Sequence, residues 1–412
     1  MTPQHEVRLA LAGCGVVGGG LVRLLHDARD EIASRFGVKF SVTSVLVRNP
    51  RRDRHVPVAE SLFTNDLDAF LATDADVVVE AIGGEEPAHT IAATALTRGR
   101  KFITANKELI AGAGDELSLL ASERGTSLDF GAAVGASAPV ISTLRDLLGA
   151  SPPRAVRGIL NGTSNFVITE LERGAPLDLA LAAACERGLA EADCSKDLDG
   201  RDAAAKLAIT SWVAFGIAPS SLRIRRTSLL PRLPELVRTA VGLGGRLRLI
   251  AECVHVDGDR VVASVEPTVV SAASGFARTV GEENRIEIDQ GWSAPLTVSG
   301  PGAGAAPTAS ALLSDLLRTS PPPNVRGAHG KVFVPAGDSR AHRWLLSSRG
   351  VALENLLSTQ GIGVERSWHE PRSSGVVTKR IPWSALAETL TGLGRDIAVA
   401  RVELSDAEVN LQ

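Results

Sequence analysis

The chain opens with a short apolar run, a glycine turn and an amphipathic helix, read in Val7-Arg-Leu-Ala-Leu-Ala-Gly-Cys-Gly-Val-Val-Gly-Gly-Gly-Leu-Val-Arg-Leu-Leu25. No other stretch restricts the fold as much. Gly13, Gly15 and Gly18 fall at the GxGxxG spacing, in which the first glycine permits a tight turn, the second lets backbone approach a pyrophosphate and the third lets the helix lie close to the strand. Val16 and Val17 open the helix, whose first amides then face the phosphates. In a chain with 40 glycines such spacing arises easily. Its position between a first strand and a first helix is what predicts a dinucleotide-binding start and a parallel α/β sheet.

The next apolar strand, Phe40 to Val47, would deliver its end to the adenosine ribose of such a ligand. An acid at that end selects NAD. Here the strand runs into Arg48-Asn-Pro-Arg-Arg-Asp-Arg54, which offers guanidinium groups suited to a 2′-phosphate. NADP(H) is therefore expected, with Arg48 as its ligand and NAD(H) as the alternative. Arg51, Arg52 and Arg54 also read as a plain solvated turn. Further on, Asp76-Val-Val-Val-Glu-Ala-Ile-Gly-Gly84 is patterned as a buried parallel strand whose glycine loop, with Gly83, lies at the cofactor edge. Lys101-Phe-Ile-Thr-Ala-Asn-Lys107 reads as a strand ending in Asn-Lys, and Lys107 then points to the same edge. A solvent-exposed lysine is the bland alternative.

At 412 residues the chain should divide into two or three domains. A formal charge of -3 gives no basic field for nucleic acid, which points to a small-molecule partner. The absence of tyrosine excludes a catalytic Tyr acid. The four cysteines form no CxxC pair and no zinc-ligand spacing, as expected of reduced thiols. The opening Met-Thr-Pro-Gln-His-Glu lacks a signal-peptide layout, and no apolar run reaches the ~18 residues of a membrane span. A soluble, cytoplasmic protein with no membrane partner is the expectation.

Between Gly188 and Lys206 five acids and two lysines crowd among alanine-rich stretches. A helix starting near Asp199 would put Asp202 and Lys206 four residues apart on one face, with Ala204, Leu207 and Ala208 forming an apolar stripe. Glu191 and Asp197 would lie in the preceding loop. Such a cluster could hold an ammonium and move a proton beside a carbonyl. Taken alone, it reads more readily as an exposed, salt-bridged helix start.

Taken in order, GCGVVGGG, VVVEAIGGEEPA, ITANKELIA, GILNGTSNF, GLAEADCSKDLDGRDAAAK, VEPTVV and GPGAGAAPTASALLSDLL resemble the homoserine dehydrogenases over most of positions 7 to 320. The resemblance implies reversible NAD(P)-dependent interconversion of L-homoserine and L-aspartate 4-semialdehyde, on the way to threonine, methionine and isoleucine. By the same resemblance Lys206 is the proton donor, with Asp202 beside it. Glu191 binds the substrate amino group, Asp197 lines the pocket, and Lys107 lies near nicotinamide and substrate. Gly188, Gly302 and Gly304 belong to segments that close over the cofactor.

The implied architecture is α/β. A Rossmann-type domain over 1–140 is completed by about 300–320, an α+β substrate and dimerisation domain spans 141–299, and a linker covers 321–335. Residues 336–412 then read as a βαββαβ module, a degenerate ACT-like fold, since the usual Asp-x-Pro-Gly loop appears as Ser347-Ser-Arg-Gly350. A homodimer or homotetramer is expected. Two further departures stand out. Gly131 occupies the place of a glutamate that binds a monovalent cation in many relatives, leaving only the backbone of Val134, Ala136 and Ala138 as ligands, so no strong metal site is expected. Cys194 replaces a frequent proline. These departures keep open a related reductase of another amino-acid semialdehyde, or an NADP-binding regulatory or assembly protein with little turnover.

Overall fold

The computed structural model describes residues 5–147, 153–190, 195–230, 232–302, 304–318, 334–349, 351–370, 373–391 and 397–410. The chain forms two compact units. The first gathers Met1–Pro152, Ala208–Leu222 and Gly300–Val332, and the second gathers Pro153–Leu207, Arg223–Ser299 and Phe333–Gln412.

In the first unit, β1 (His5–Ala12), β2 (Val38–Leu46), β3 (Phe63–Thr64), β4 (Val77–Glu80), β5 (Lys101–Thr104) and β6 (Leu128–Asp129) make one sheet. Its order is β3-β2-β1-β4-β5-β6 and every pairing is parallel. That is the Rossmann order, which reverses direction between β1 and β4 and places ligands outside the carboxyl ends of those strands. Both faces of such a sheet are covered, so β4 runs Val77-Val78-Val79 without alternation before Glu80, and all four of its residues are buried. Leu9, Leu11, Leu21, Val77 and Val79 form the core with Leu312 and Leu316 of the helix Ala305–Leu317, each large side chain contributing about 2 kcal/mol. Gly20 lets that helix approach the helix Val16–Asp27, because a Cβ there would lie 3.2 Å from the Ala309 Cβ.

The second unit is built on a mixed sheet containing β7 (Ala155–Ile159), β8 (Ile224–Arg226), β9 (Gly245–Asp257), β10 (Arg260–Ser271), β11 (Glu283–Asp289), β12 (Leu296–Pro301) and β13 (Val334–Pro335). β9 and β10 form its long antiparallel hairpin. The C-terminal segment adds β14 (Ala341–Ser348), the helix Leu353–Thr359, β15 (Val364–Glu370), β16 (Ser373–Thr378), the short β17 (Ile381–Pro382), the helix Trp383–Leu390 and β18 (Ile397–Glu403). The expected βαββαβ order is present, with β17 inserted before the last helix. Trp344, Leu346, Leu353, Leu357, Val376, Leu386 and Val399 fill its core. β18 pairs in parallel with β10, so this segment continues the same sheet. At that seam Arg401 lies against Glu252, Glu266 and Glu403 at 3.2, 3.1 and 2.7 Å. The surrounding guanidinium groups overcome burial and hold the Glu252 carboxyl well below the usual range.

No helix among the described residues is long and apolar enough to cross a membrane.

Candidate active site

At the end of β1 the glycines act through what they lack. Gly13 has φ +95°, and a Cβ there would come within 2.6 Å of the Ala81 carbonyl oxygen, which follows β4. A Cβ on Gly18 would fall 1.9 Å from the Gly13 oxygen, so only glycine allows this turn and this helix start together. Gly15 differs. A Cβ there meets no atom within 4 Å, and no side chain caps the helix Val16–Asp27 that follows. Backbone amides at an uncapped helix start, approached through a glycine with open space, suit a pyrophosphate.

The β4 loop is fixed by an acid that sequence patterning passed over. Glu80 is fully buried, and its Oε1 accepts the amides of Ile82 and Gly83 at 2.6 and 3.0 Å. Its Oε2 accepts the Thr104 hydroxyl at 2.5 Å, and Thr104 Oγ1 in turn accepts the Asn106 amide at 2.9 Å. Asn106 closes the circuit by donating to the Gly84 carbonyl at 2.6 Å while capping the helix Lys107–Glu123. Lys107 is thus the first residue of a helix and not the end of a strand, because β5 stops at Thr104 and the Asn106 side chain starts the helix. It remains at the carboxyl edge of the sheet.

Beyond β2, Arg54 is held by the loop itself. Its guanidinium donates to the Arg52 and Asn49 carbonyls at 2.6 and 2.8 Å and lies over Phe63. Arg48 is exposed and has no hydrogen-bond or ion-pair partner among the described residues.

The helix Arg201–Phe215 carries Asp202 and Lys206 one turn apart, both on its first half, which belongs to the second unit. Gly200, at φ +80°, makes the turn into it where a Cβ would press to 3.0 Å from Val265. Lys206 Nζ lies 2.8 Å from Asp202 Oδ2 and donates to the Leu160 carbonyl at 2.9 Å, with side-chain exposures of 12% and 10% for the ion pair. Asp197 joins the group through Asn161, whose Nδ2 donates to Asp197 Oδ1 at 2.7 Å and to Asp202 Oδ2 at 2.8 Å. Asp197 sits in a four-residue helix, Ser195–Leu198, and not in a loop. The apolar side of the lysine helix is Ala203, Leu207 and Ala208, all buried, while Ala204 is only partly so. Glu191 and Cys194 lie outside the described residues. Gly188 ends the preceding helix at φ +69°, Gly302 is buried, and Gly304 at φ +123° starts the helix Ala305–Leu317.

Two family models match the chain, the homoserine dehydrogenase NAD-binding domain over residues 13–130 and homoserine dehydrogenase over residues 139–317. Homoserine dehydrogenase of Mycobacterium bovis is 35% identical over 320 residues, covering 76% of this chain and 72% of its own. The Bacillus subtilis enzyme is 31% identical over 334 residues, covering 80% and 76%. The chain belongs to the homoserine dehydrogenase family. Among solved structures, a homoserine dehydrogenase from Thiobacillus denitrificans superposes with a TM-score of 0.85 at 27% identity, covering 98% of this chain and 99% of that one. A hyperthermophilic archaeal homoserine dehydrogenase in complex with NADPH superposes with a TM-score of 0.62 at 25% identity, covering 76% and 97%. As a member of this family the chain is an NAD(P)-dependent oxidoreductase acting on a small molecule.

Within a homoserine dehydrogenase, the loop after β6 shows why glycine stands at position 131. A Cβ on Gly131 would lie 2.9 and 3.0 Å from the two carboxyl oxygens of Asp315, and the Gly131 amide donates to Asp315 Oδ2 at 2.9 Å. Asp315, on the helix Ala305–Leu317, therefore fills the space of a side chain at 131. Asp129 is paired with Arg145 at 3.1 Å and Lys101 at 3.4 Å. Of the remaining backbone acceptors, the Ala138 carbonyl already receives the Val140 amide at 2.7 Å. Ala136 has φ +48°, a costly conformation for a residue with a Cβ.

Asn161, Glu80, Asn106 and Asp315 are the functional neighbours that sequence reading missed. Asn161-Gly-Thr-Ser ahead of an apolar run is itself a helix-start signature, and so is Asn106 before Lys-Glu. Both could have been found as caps. Their other contacts could not.

Proposed function

We propose that Lys206 moves the proton in the family's reaction, the reversible interconversion of L-homoserine and L-aspartate 4-semialdehyde. The observation that carries this reading is the buried Lys206–Asp202 pair, held at 2.8 Å with the Leu160 carbonyl as a second fixed partner. When bound, the nicotinamide cofactor supplies the hydride to the aldehyde carbon. Lys206 Nζ gives its proton to the aldehyde oxygen as charge grows there, and takes it back in the reverse direction. Asp202 orients Nζ, Asp197 lines the pocket, and Glu191 receives the substrate ammonium. Lys107 serves at the cofactor edge of the first unit.

The glycine turn supports a dinucleotide at Gly13, Gly15, Val16, Val17, Gly18 and Gly83, with Gly302 and Gly304 closing over it. Arg48, exposed beyond β2 with no competing partner among the described residues, supports NADP(H) over NAD(H). Asp315 at Gly131 supports activity without a strongly bound monovalent cation. The C-terminal βαββαβ segment is proposed to be a degenerate ACT-like fold used in packing or assembly, and the enzyme to work in the cytoplasm as a homodimer or homotetramer.

The reaction is tested by comparing L-homoserine with other amino alcohols in a steady-state assay with NADP⁺. A kcat/KM at least ~10² higher for L-homoserine is expected, since mispaired polar groups cost several kcal/mol. Preference for another amino alcohol would establish a different semialdehyde as the product.

A further inference from the structure

Asn161 does two jobs with opposite ends of one amide. Its Oδ1 accepts the Ser164 amide at 2.7 Å and so caps the helix Gly162–Glu172. Its Nδ2 reaches across 36 and 41 residues to Asp197 and Asp202. The capping job needs only an acceptor, and aspartate or serine would fill it. The second job needs two N–H donors on the same small group, which among side chains of this size only asparagine offers.

The need for those donors follows from charge. Asp197 and Asp202 both come within 2.8 Å of one nitrogen, and the side chain between them is 97% buried, with an exposure of 3%. Carboxylates this close raise each other's proton affinity unless donors hold them in the charged form. A second lysine would do so by adding charge, whereas an amide does so while staying neutral. Asp202 Oδ2 is also the atom facing Lys206 Nζ. The residue before Asn161 supplies the carbonyl that Nζ donates to. Consecutive residues of the turn after β7 thus hold both partners of the pair, Leu160 through its peptide and Asn161 through its side chain.

We propose that Asn161 is a positioning residue of the reaction, setting the separation and charge of Asp197 and Asp202 and through them the direction of Lys206 Nζ. This rests on the roles given above to Lys206 and Asp202.

Asn161→Asp separates the two jobs. It keeps the cap and the size of the side chain, removes both donors, and puts a third carboxylate beside two others. That new carboxyl binds a proton more readily than a free aspartate, and once protonated it regains one O–H donor. The expected result is a kcat lowered ~30-fold or more at pH 8, the scale of a misplaced catalytic group, with the NADP⁺ Kd unchanged and a thermal midpoint that is lowered at pH 8 and recovers as pH falls, as the raised proton affinity of the new carboxyl requires. Relative to the parent at equal pH, the variant should recover part of its turnover as pH falls toward ~6. Asn161→Ala should lose turnover at every pH without that recovery. An Asn161→Asp enzyme within ~threefold of the parent at every pH would leave only the cap and overturn the proposal. Lys206→Ala, measured alongside, separates the layers. If it turns over like the parent, the proton-transfer role falls as well. If it is inactive while Asn161→Asp is fully active, Asn161 alone is removed.

Discussion

The turn after β1 and the turn after β7 both lead from a strand into a helix, yet they finish their helices in opposite ways. After β1 the helix begins at Gly15, and no side chain caps its first amides. After β7 the helix begins at Asn161, whose side chain caps it and grips two acids. The first site is made by omitting side chains, the second by packing them. An omitted side chain can serve any phosphate-bearing ligand, whereas a packed cluster is specific to one chemistry and sensitive to each member. A glycine replacement should therefore affect binding, and a cluster replacement should affect turnover.

Gly15→Val is the sharpest test of the first half of that comparison. Because a Cβ at position 15 meets nothing, the ligand-free protein should still fold cooperatively. The added side chain would occupy the approach to the phosphates, so affinity for NADP⁺ and NAD⁺ should fall together by ~10² or more, as for several lost backbone hydrogen bonds. Unchanged binding in titration calorimetry would remove this turn from the cofactor site.

A smaller effect is expected from Arg48→Ala. Loss of one charge-assisted contact should weaken NADP⁺ by ~tenfold, while NAD⁺, which has no 2′-phosphate, should change little. Equal losses would make Arg48 structural.

The buried cluster around Gly131 should act on stability instead. Burial, reinforced by the charge of Asp129, pushes the Asp315 carboxyl up to about 6. A carboxyl raised above its unfolded value contributes stability that is complete below about pH 4 and is lost as pH rises through 6. Asp315→Asn keeps an acceptor for the Gly131 amide and removes that loss. It should be more stable than the parent by about 1–3 kcal/mol at pH 8, with the gap closing toward pH 4. A gap independent of pH in thermal unfolding would show that Asp315 is not the titrating group. The same crowding predicts the smallest effect, a change in kcat below ~twofold when K⁺ is replaced by a bulky organic cation at constant ionic strength. Large, saturable activation would mean that the loop does hold an ion.

The comparison also explains what could be read before the fold was known. Glycine's constraint is local, so Gly13, Gly15 and Gly18 announced a strand–turn–helix within six residues. Asp202 and Lys206 were equally legible because helical spacing places them together. Asn161 was legible as a cap but not as a bridge, since Asp197 and Asp202 lie 36 and 41 residues away and nothing local records the encounter. Gly131 read as a missing ligand, and its cause lay 184 residues on at Asp315. Glu80 was hidden differently. It ended an apolar strand where the pattern called for burial, and its partners, the amides of Ile82 and Gly83, are contributed by backbone that no side-chain motif reveals.

The division of labour between the two turns stands or falls on Lys206. Turnover of Lys206→Ala should be measured with L-homoserine and NADP⁺, together with the Kd for NADP⁺. The account predicts a kcat lowered by ~10² or more, as for loss of a general acid, with the Kd unchanged. Turnover within a few-fold of the parent would contradict it and place the proton transfer elsewhere.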